Sequence, residues 1–155
     1  MGCSYCSTAL IEGRSIRMRR PESIVEELAC FVAAGLERFY VVDNVFNIPA
    51  VYAKTLCRNI LERRLSITWR CILHPGKVDR ELVHLMAQAG CTEVSLGFES
   101  GCERILRGMH KGFTPDDVRR VSATLREYGI RRMGFLLLGG PGETKESVLE
   151  SLTFA

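Results

Sequence analysis

Apolar residues fall along this chain in two alternating patterns. From Pro21 to Gly35, Ile24, Leu28, Phe31 and Val32 recur at helical spacing, with proline at the first helical position and Glu22 at the positive end of the dipole. Phe39-Tyr40-Val41-Val42 follows as a short continuous apolar run without alternation, which predicts a strand buried on both faces. The cycle then repeats. Residues 49–64 carry Val51, Thr55, Leu56, Ile60 and Leu61 on a helix, and residues 67–73 form a second β-rich run around Trp69. Asp79 caps a helix that buries Leu82, Leu85, Met86 and Ala89 and stops at Gly90, and residues 92–98 are the next strand. A short helical piece over 103–107 leads to Thr114-Pro115-Asp116-Asp117, which starts a helix ending at Gly129. Residues 132–138 are the fourth strand, and Thr144 caps a last helix.

Strand openings at Arg38, Ile67, Thr92 and Arg131 lie roughly 25–40 residues apart, the length of a βα unit. Right-handed crossovers then lay the strands parallel with the helices outside, as an open sheet or part of a barrel. Polar and glycine residues stand at each carboxyl strand end: Asp43-Asn44, His74-Pro75, Glu99-Ser100 and Gly139-Gly140-Pro141-Gly142-Glu143. Ligands of parallel α/β folds bind at that rim. Singly, each has a plainer reading as a turn or cap residue. Four strand ends in agreement favour a site.

Composition narrows the class without naming the chemistry. With 155 residues, 46% hydrophobic and 25% charged, the chain supports one globular domain. A net charge of +3 predicts neither nucleic-acid nor membrane binding; the tract from Arg14 to Arg20 is locally basic and reads as a solvated loop. Seven cysteines, with no signal peptide and no apolar run of membrane length, point to a reducing cytoplasm. Cys30, Cys57, Cys71, Cys91 and Cys102 are widely spaced and read as small buried or half-buried apolar residues. Cys3-Ser4-Tyr5-Cys6 differs, because two cysteines separated by two residues can direct both sulfurs at one metal or cluster. The bare pair also fits half a zinc site or a redox pair.

Taken together, these residues resemble the radical S-adenosylmethionine (radical SAM) superfamily over nearly the whole chain. The family signature is CxxxCxxC with an aromatic before the last cysteine. Cys3-Ser4-Tyr5-Cys6 matches its second half, and its first cysteine falls two places before Met1. Val41-Val42-Asp43-Asn44 resembles the family's second-strand end, without its glycine-glycine-glutamate form. Val94 to Gly101 resembles the fourth-strand motif, and Leu136 to Glu143 the fifth-strand motif that packs on adenine.

The resemblance implies an α/β fold of parallel βα repeats, part of a (βα)6 partial TIM barrel. It places in 1–155 one radical SAM core domain lacking its first strand and last βα unit. It implies a [4Fe-4S] cluster held by Cys3 and Cys6, with SAM filling the iron that has no thiolate. The backbone near Tyr5, together with Leu137 and Gly139, would meet adenine, and Asp43, Asn44, Glu99 and Ser100 would position the rest of SAM. Cleavage of SAM then yields a 5′-deoxyadenosyl radical that takes hydrogen from a substrate, fed by an electron donor such as flavodoxin or ferredoxin. Cys-Ser-Tyr-Cys-Ser-Thr, Gly-Phe-Glu-Ser-Gly and Gly-Gly-Pro-Gly-Glu-Thr most resemble the cobalamin-binding and methylthiotransferase-like branch, so cobalamin is an expected partner of the parent protein.

Two other readings compete. One is a non-catalytic βα scaffold with at most a partial metal site at Cys3 and Cys6. The other, a flavodoxin-like or Rossmann nucleotide domain, is weakened because no GxGxxG opens the first helix. A barrel without its first and last strands exposes two parallel edges, which predicts self-association through them.

Overall fold

The computed structural model describes residues 2–13 and 15–155; Met1 and Arg14, the first residue of the basic tract, lie outside these. In chain order the elements are α1 Thr8–Ile11, α2 Pro21–Ala33, β1 Arg38–Tyr40, α3 Ala50–Glu62 and β2 Thr68–Leu73. Next come a 3₁₀ turn at Pro75–Lys77, α4 Arg80–Gln88, β3 Cys91–Glu99, α5 Glu103–Gly108, α6 Pro115–Glu127, β4 Arg131–Leu136 and α7 Lys145–Phe154. The strands form one parallel sheet in the order β1-β2-β3-β4. A doubly wound nucleotide domain reverses its strand order at a switch point. Here the order never reverses, so successive units step one way around a barrel wall.

Packing covers one face of this wall. On it, Trp69, Cys71 and Leu73 of β2 and Val94 and Leu96 of β3 are buried against Ala53, Leu56 and Ile60 of α3 and Leu82, Val83 and Met86 of α4. The Trp69 indole donates to the Ala89 carbonyl at 2.7 Å, which satisfies its polar edge inside the core. Helix starts follow their caps: Asp79 accepts from Leu82 N, and Thr114 with Asp117 closes a capping box on α6.

The other face is open, and this corrects one expectation. β1 is not buried on both faces: Tyr40 is half-exposed, Val42 is 86% exposed, and the strand stops at Tyr40 although Val41 N still donates to Arg70 O. An edge strand covered by helices on one side keeps alternation, so the unbroken apolar run misled. Cys57, Cys71, Cys91 and Cys102 are buried as expected, but Cys30 is exposed. It lies five residues beyond Val25, the buried position of α2, which turns it well away from the packed stripe.

Candidate functional site

The carboxyl ends of the strands gather around the N-terminal cysteine loop. Cys6 N donates to the Cys3 carbonyl at 3.2 Å, closing a turn that sets Cys3, half-buried, and Cys6, exposed, on one short loop. Ser4 N donates to the Met109 carbonyl at 3.1 Å, which docks this loop on the end of α5. Hydrogen bonds from the Thr8 hydroxyl and backbone pull the Cys6 thiol below its ordinary pKa, which favours the thiolate that binds metal.

Lys111, in the turn between α5 and α6, joins the loop to the sheet. Its ammonium lies 3.1 Å from Glu99 Oε1, and the two side chains are only 9% and 14% exposed. The same nitrogen sits 5.2 Å from the centre of the Tyr5 ring and 5.8 Å from that of Phe113. Burial draws the Lys111 pKa down, and the neighbouring Tyr5 phenol and Glu99 carboxylate more than reverse it, so the group stays a cation. Burial likewise raises the Tyr5 phenol.

Backbone geometry aims Glu99 at this point. It is the last residue of β3, with φ of 64°, a conformation rare outside glycine, after a register shift between Gly97 and Glu99. Its carbonyl accepts from Leu137 N at 2.9 Å, and a Cβ on Gly97 would stand 2.9 Å from its Oε1. Glycine at 97 is what lets the carboxylate fold back over the strand. The β2 end meets the same point, where His74 packs edge-on to Phe113 at 5.2 Å. Fully buried Asn47 holds that end by donating to the His74 and Lys77 carbonyls and accepting from His74 N.

The structure therefore brings Tyr5 and Glu99 together. Asn44 reaches the N-terminal segment separately, donating to Glu12 at 2.7 Å, and neighbouring Asp43 is exposed with Val45 N 3.5 Å from its carboxylate. Leu137 packs on Cys102, Ile105 and Met109, whose carbonyl holds Ser4. Gly139 N donates to the Glu143 carboxylate. Ser100, expected to touch SAM, is placed differently: it is fully buried, 2.8 Å from Ser151 Oγ of α7, and accepts from Cys102 N. Sequence reasoning missed Lys111, Phe113 and Asn47. The run His110-Lys111-Gly112-Phe113, a lysine beside an aromatic in a rim loop, was the available signal.

Family comparison gives this arrangement its context. The radical SAM superfamily pattern matches residues 1–155. The chain belongs to the radical SAM superfamily. Among its relatives, an uncharacterised methyltransferase of Pyrococcus horikoshii is 28% identical over 99% of this chain and 34% of its own length. A tRNA-2-methylthio-N(6)-dimethylallyladenosine synthase of Caldicellulosiruptor saccharolyticus is 30% identical over 97% of this chain and 34% of its own. The radical SAM methyltransferase TsrM of Kitasatospora setae, solved with cobalamin and a [4Fe-4S] cluster, is 29% identical. It superposes with a TM-score of 0.87 over 97% of this chain and 29% of that one. The chain spans about a third of the length of the curated relatives it matches.

The residues of this radical SAM domain fit part of a cluster site. Among the described residues no three His, Cys, Asp or Glu side chains are grouped to hold a metal; Cys3 and Cys6 lie together on the N-terminal loop. Burial pushes the Cys57 thiol up to about 12 and raises Cys71 further, which keeps both protonated and out of metal chemistry.

Proposed function

We propose that this chain forms the cofactor-holding core of a radical SAM enzyme that transfers a methyl or methylthio group. Cys3 and Cys6 would hold the [4Fe-4S] cluster; Asp43, Asn44 and Glu99 would line the SAM site, with Leu137 and Gly139 beneath the adenine. Lys111 would hold Glu99 and the cluster loop in place beside that site. When bound, the cluster and SAM would supply reductive cleavage of SAM and with it a hydrogen-abstracting 5′-deoxyadenosyl radical. The chain's own work is to orient the cluster loop, which Ser4 and Tyr5 dock on Met109 and Lys111. Docking of that loop, through Tyr5 and Lys111, onto Glu99 at the β3 end is the observation that carries this reading. The test is 5′-deoxyadenosine formation from SAM by reduced, iron–sulfide-reconstituted protein. Release by the wild type and loss in Cys6→Ser is the expected result. A full cluster that leaves SAM intact would defeat the radical reading.

Substrate and electron donor come from outside these residues; a flavodoxin or ferredoxin in a reducing cytoplasm suits the chemistry, and cobalamin suits the parent protein by likeness to TsrM. No helix among the described residues is long and apolar enough to cross a membrane. Unpaired backbone along β1 and β4, with Tyr40, Met133 and Phe135 half-exposed beside it, is the proposed route of self-association. Size-exclusion chromatography is expected to show species larger than one chain, increasing with concentration. A clean monomer at all concentrations would remove that proposal.

A further inference from the structure

The end of the sheet remote from Tyr5 and Glu99 holds a second concentration of chemistry, made of unused donors. β1, β2 and β4 open at Arg38, Thr68 and Arg131, and Thr92 is the second residue of β3. Across these strand openings lies a broad cavity of about 560 Å³ lined by Arg38, Thr68, Thr92, Gly129 and Arg131. No carboxylate is among its lining residues.

On the open face beside it, strand register sets Tyr40, Arg70, Glu93 and Arg131 in one row across the sheet. The row is unevenly charged. Arg131 stands 3.3 Å from Glu93 Oε2 and Arg70 stands 3.9 Å from Glu93 Oε1, while the Arg70 guanidinium lies 5.0 Å over the Tyr40 ring. Arg131 and Arg70 side chains are 76% and 59% exposed, against 20% for Glu93. Two arginines of the row share one glutamate, and Arg38, two residues before Tyr40 on β1, adds a third cation that opposes Thr68 rather than a carboxylate.

A guanidinium offers a planar fork of donors that matches the paired oxygens of carboxylate and phosphate groups. Strands stand about 4.8 Å apart and Arg131 is level with Tyr40, two residues beyond Arg38, so the two arginines arise more than about 14 Å from one another. Long side chains close much of that gap. The width favours a ligand with two or more anionic groups over a single small anion. Thr68 and Thr92 hydroxyls already donate to the Glu37 and Trp69 carbonyls, so the arginines are the cavity's side-chain donors.

We propose that this cavity binds a small molecule bearing several oxyanion groups, gripped by Arg38 and Arg131 with Arg70 supplying the surrounding field. The site is separate from the cluster and SAM region, and it gives the domain a second small-molecule contact at the opposite end of the sheet.

Isothermal titration of the chain without cluster or SAM tests this, using inorganic pyrophosphate and citrate as probes. Saturable pyrophosphate binding is expected, weakened at least tenfold by Arg131→Ala and by Arg38→Ala, less by Arg131→Lys, and unchanged by Lys145→Ala on α7. Tighter binding of citrate than of pyrophosphate would keep the site and assign it to carboxylates. Absence of binding by both probes at millimolar concentration, or equal weakening by Arg131→Ala and Lys145→Ala, overturns the proposal. Arg131 is exposed, so its loss leaves the core packed, and circular dichroism of each variant checks this. Because cluster and SAM are absent from the measurement, its outcome is independent of the radical SAM reading.

Discussion

Lys111→Ala is expected to lower stability by roughly 3 kcal/mol, the cost of leaving one member of a mostly buried ion pair alone. The substitution strands the Glu99 carboxylate, 14% exposed, with no cation at 3.1 Å, and removes the charge lying over the Tyr5 and Phe113 rings. Urea unfolding measures the loss. Lys111→Ala and Glu99→Gln are expected to be non-additive, with a coupling of about 2 kcal/mol in the double variant, because both remove the same pair. Hydrogen exchange supplies the readout tied to function: Ser4 N, which donates to Met109 O, should exchange faster once Tyr5 loses its anchor. A stability change below about 0.5 kcal/mol, the level of an ordinary surface substitution, would show that Lys111 holds nothing in place. The pH response follows from the direction of the Lys111 shift, which is upward. Its stabilising contribution is complete below the ordinary lysine pKa and disappears as pH rises through the raised folded value, so the wild type should lose more stability at alkaline pH than Lys111→Ala does.

Gly90→Ala is expected to be the most damaging small substitution in the fold, costing roughly 3–4 kcal/mol by forced backbone movement and strain. Gly90 ends α4 with φ of 91°, and a Cβ there would stand 2.0 Å from the Ile67 carbonyl oxygen. The obstacle is backbone, and it lies where Trp69 N donates to the Gly90 carbonyl at 3.0 Å. Relief of the clash therefore pulls β2 from α4. Gly129→Ala is the control: its φ is 71°, but no atom lies within 4 Å of the added carbon, so only the conformational cost of about 1 kcal/mol remains. Thermal unfolding should place Gly90→Ala well below Gly129→Ala. Equal midpoints would show that the β2–α4 junction yields easily.

Local chemistry made most of the fold legible. Asp79, Thr114 and Thr144 cap the helices they were expected to cap, since each signal is a side chain bonded to a backbone amide three residues on. Strand openings were read within one residue of Arg38, Thr68, Cys91 and Arg131. α1 was missed because four residues at Thr8–Ile11 carry no periodicity, and the extent of β1 was misjudged because covering on one face is a tertiary fact. The rim at the strand ends was visible as Asp43, Glu99 and the glycine-rich run after β4. The contact that organises it was not. Tyr5 and Lys111 stand far apart in the sequence, and a lysine in a loop ordinarily reads as solvated. Ser100 shows the converse: an uncharged polar residue at a strand end looks available until Ser151, far along the chain, is found beside it.

Electron paramagnetic resonance of anaerobically reconstituted, dithionite-reduced protein, with and without SAM, tests the central claim most directly. A [4Fe-4S] signal that changes when SAM is added, and that disappears in Cys3→Ser and Cys6→Ser, is the expected result. The contradicting result is the absence of a cluster both in this chain and in a version extended upstream to carry a further cysteine, or a cluster signal that SAM leaves unchanged.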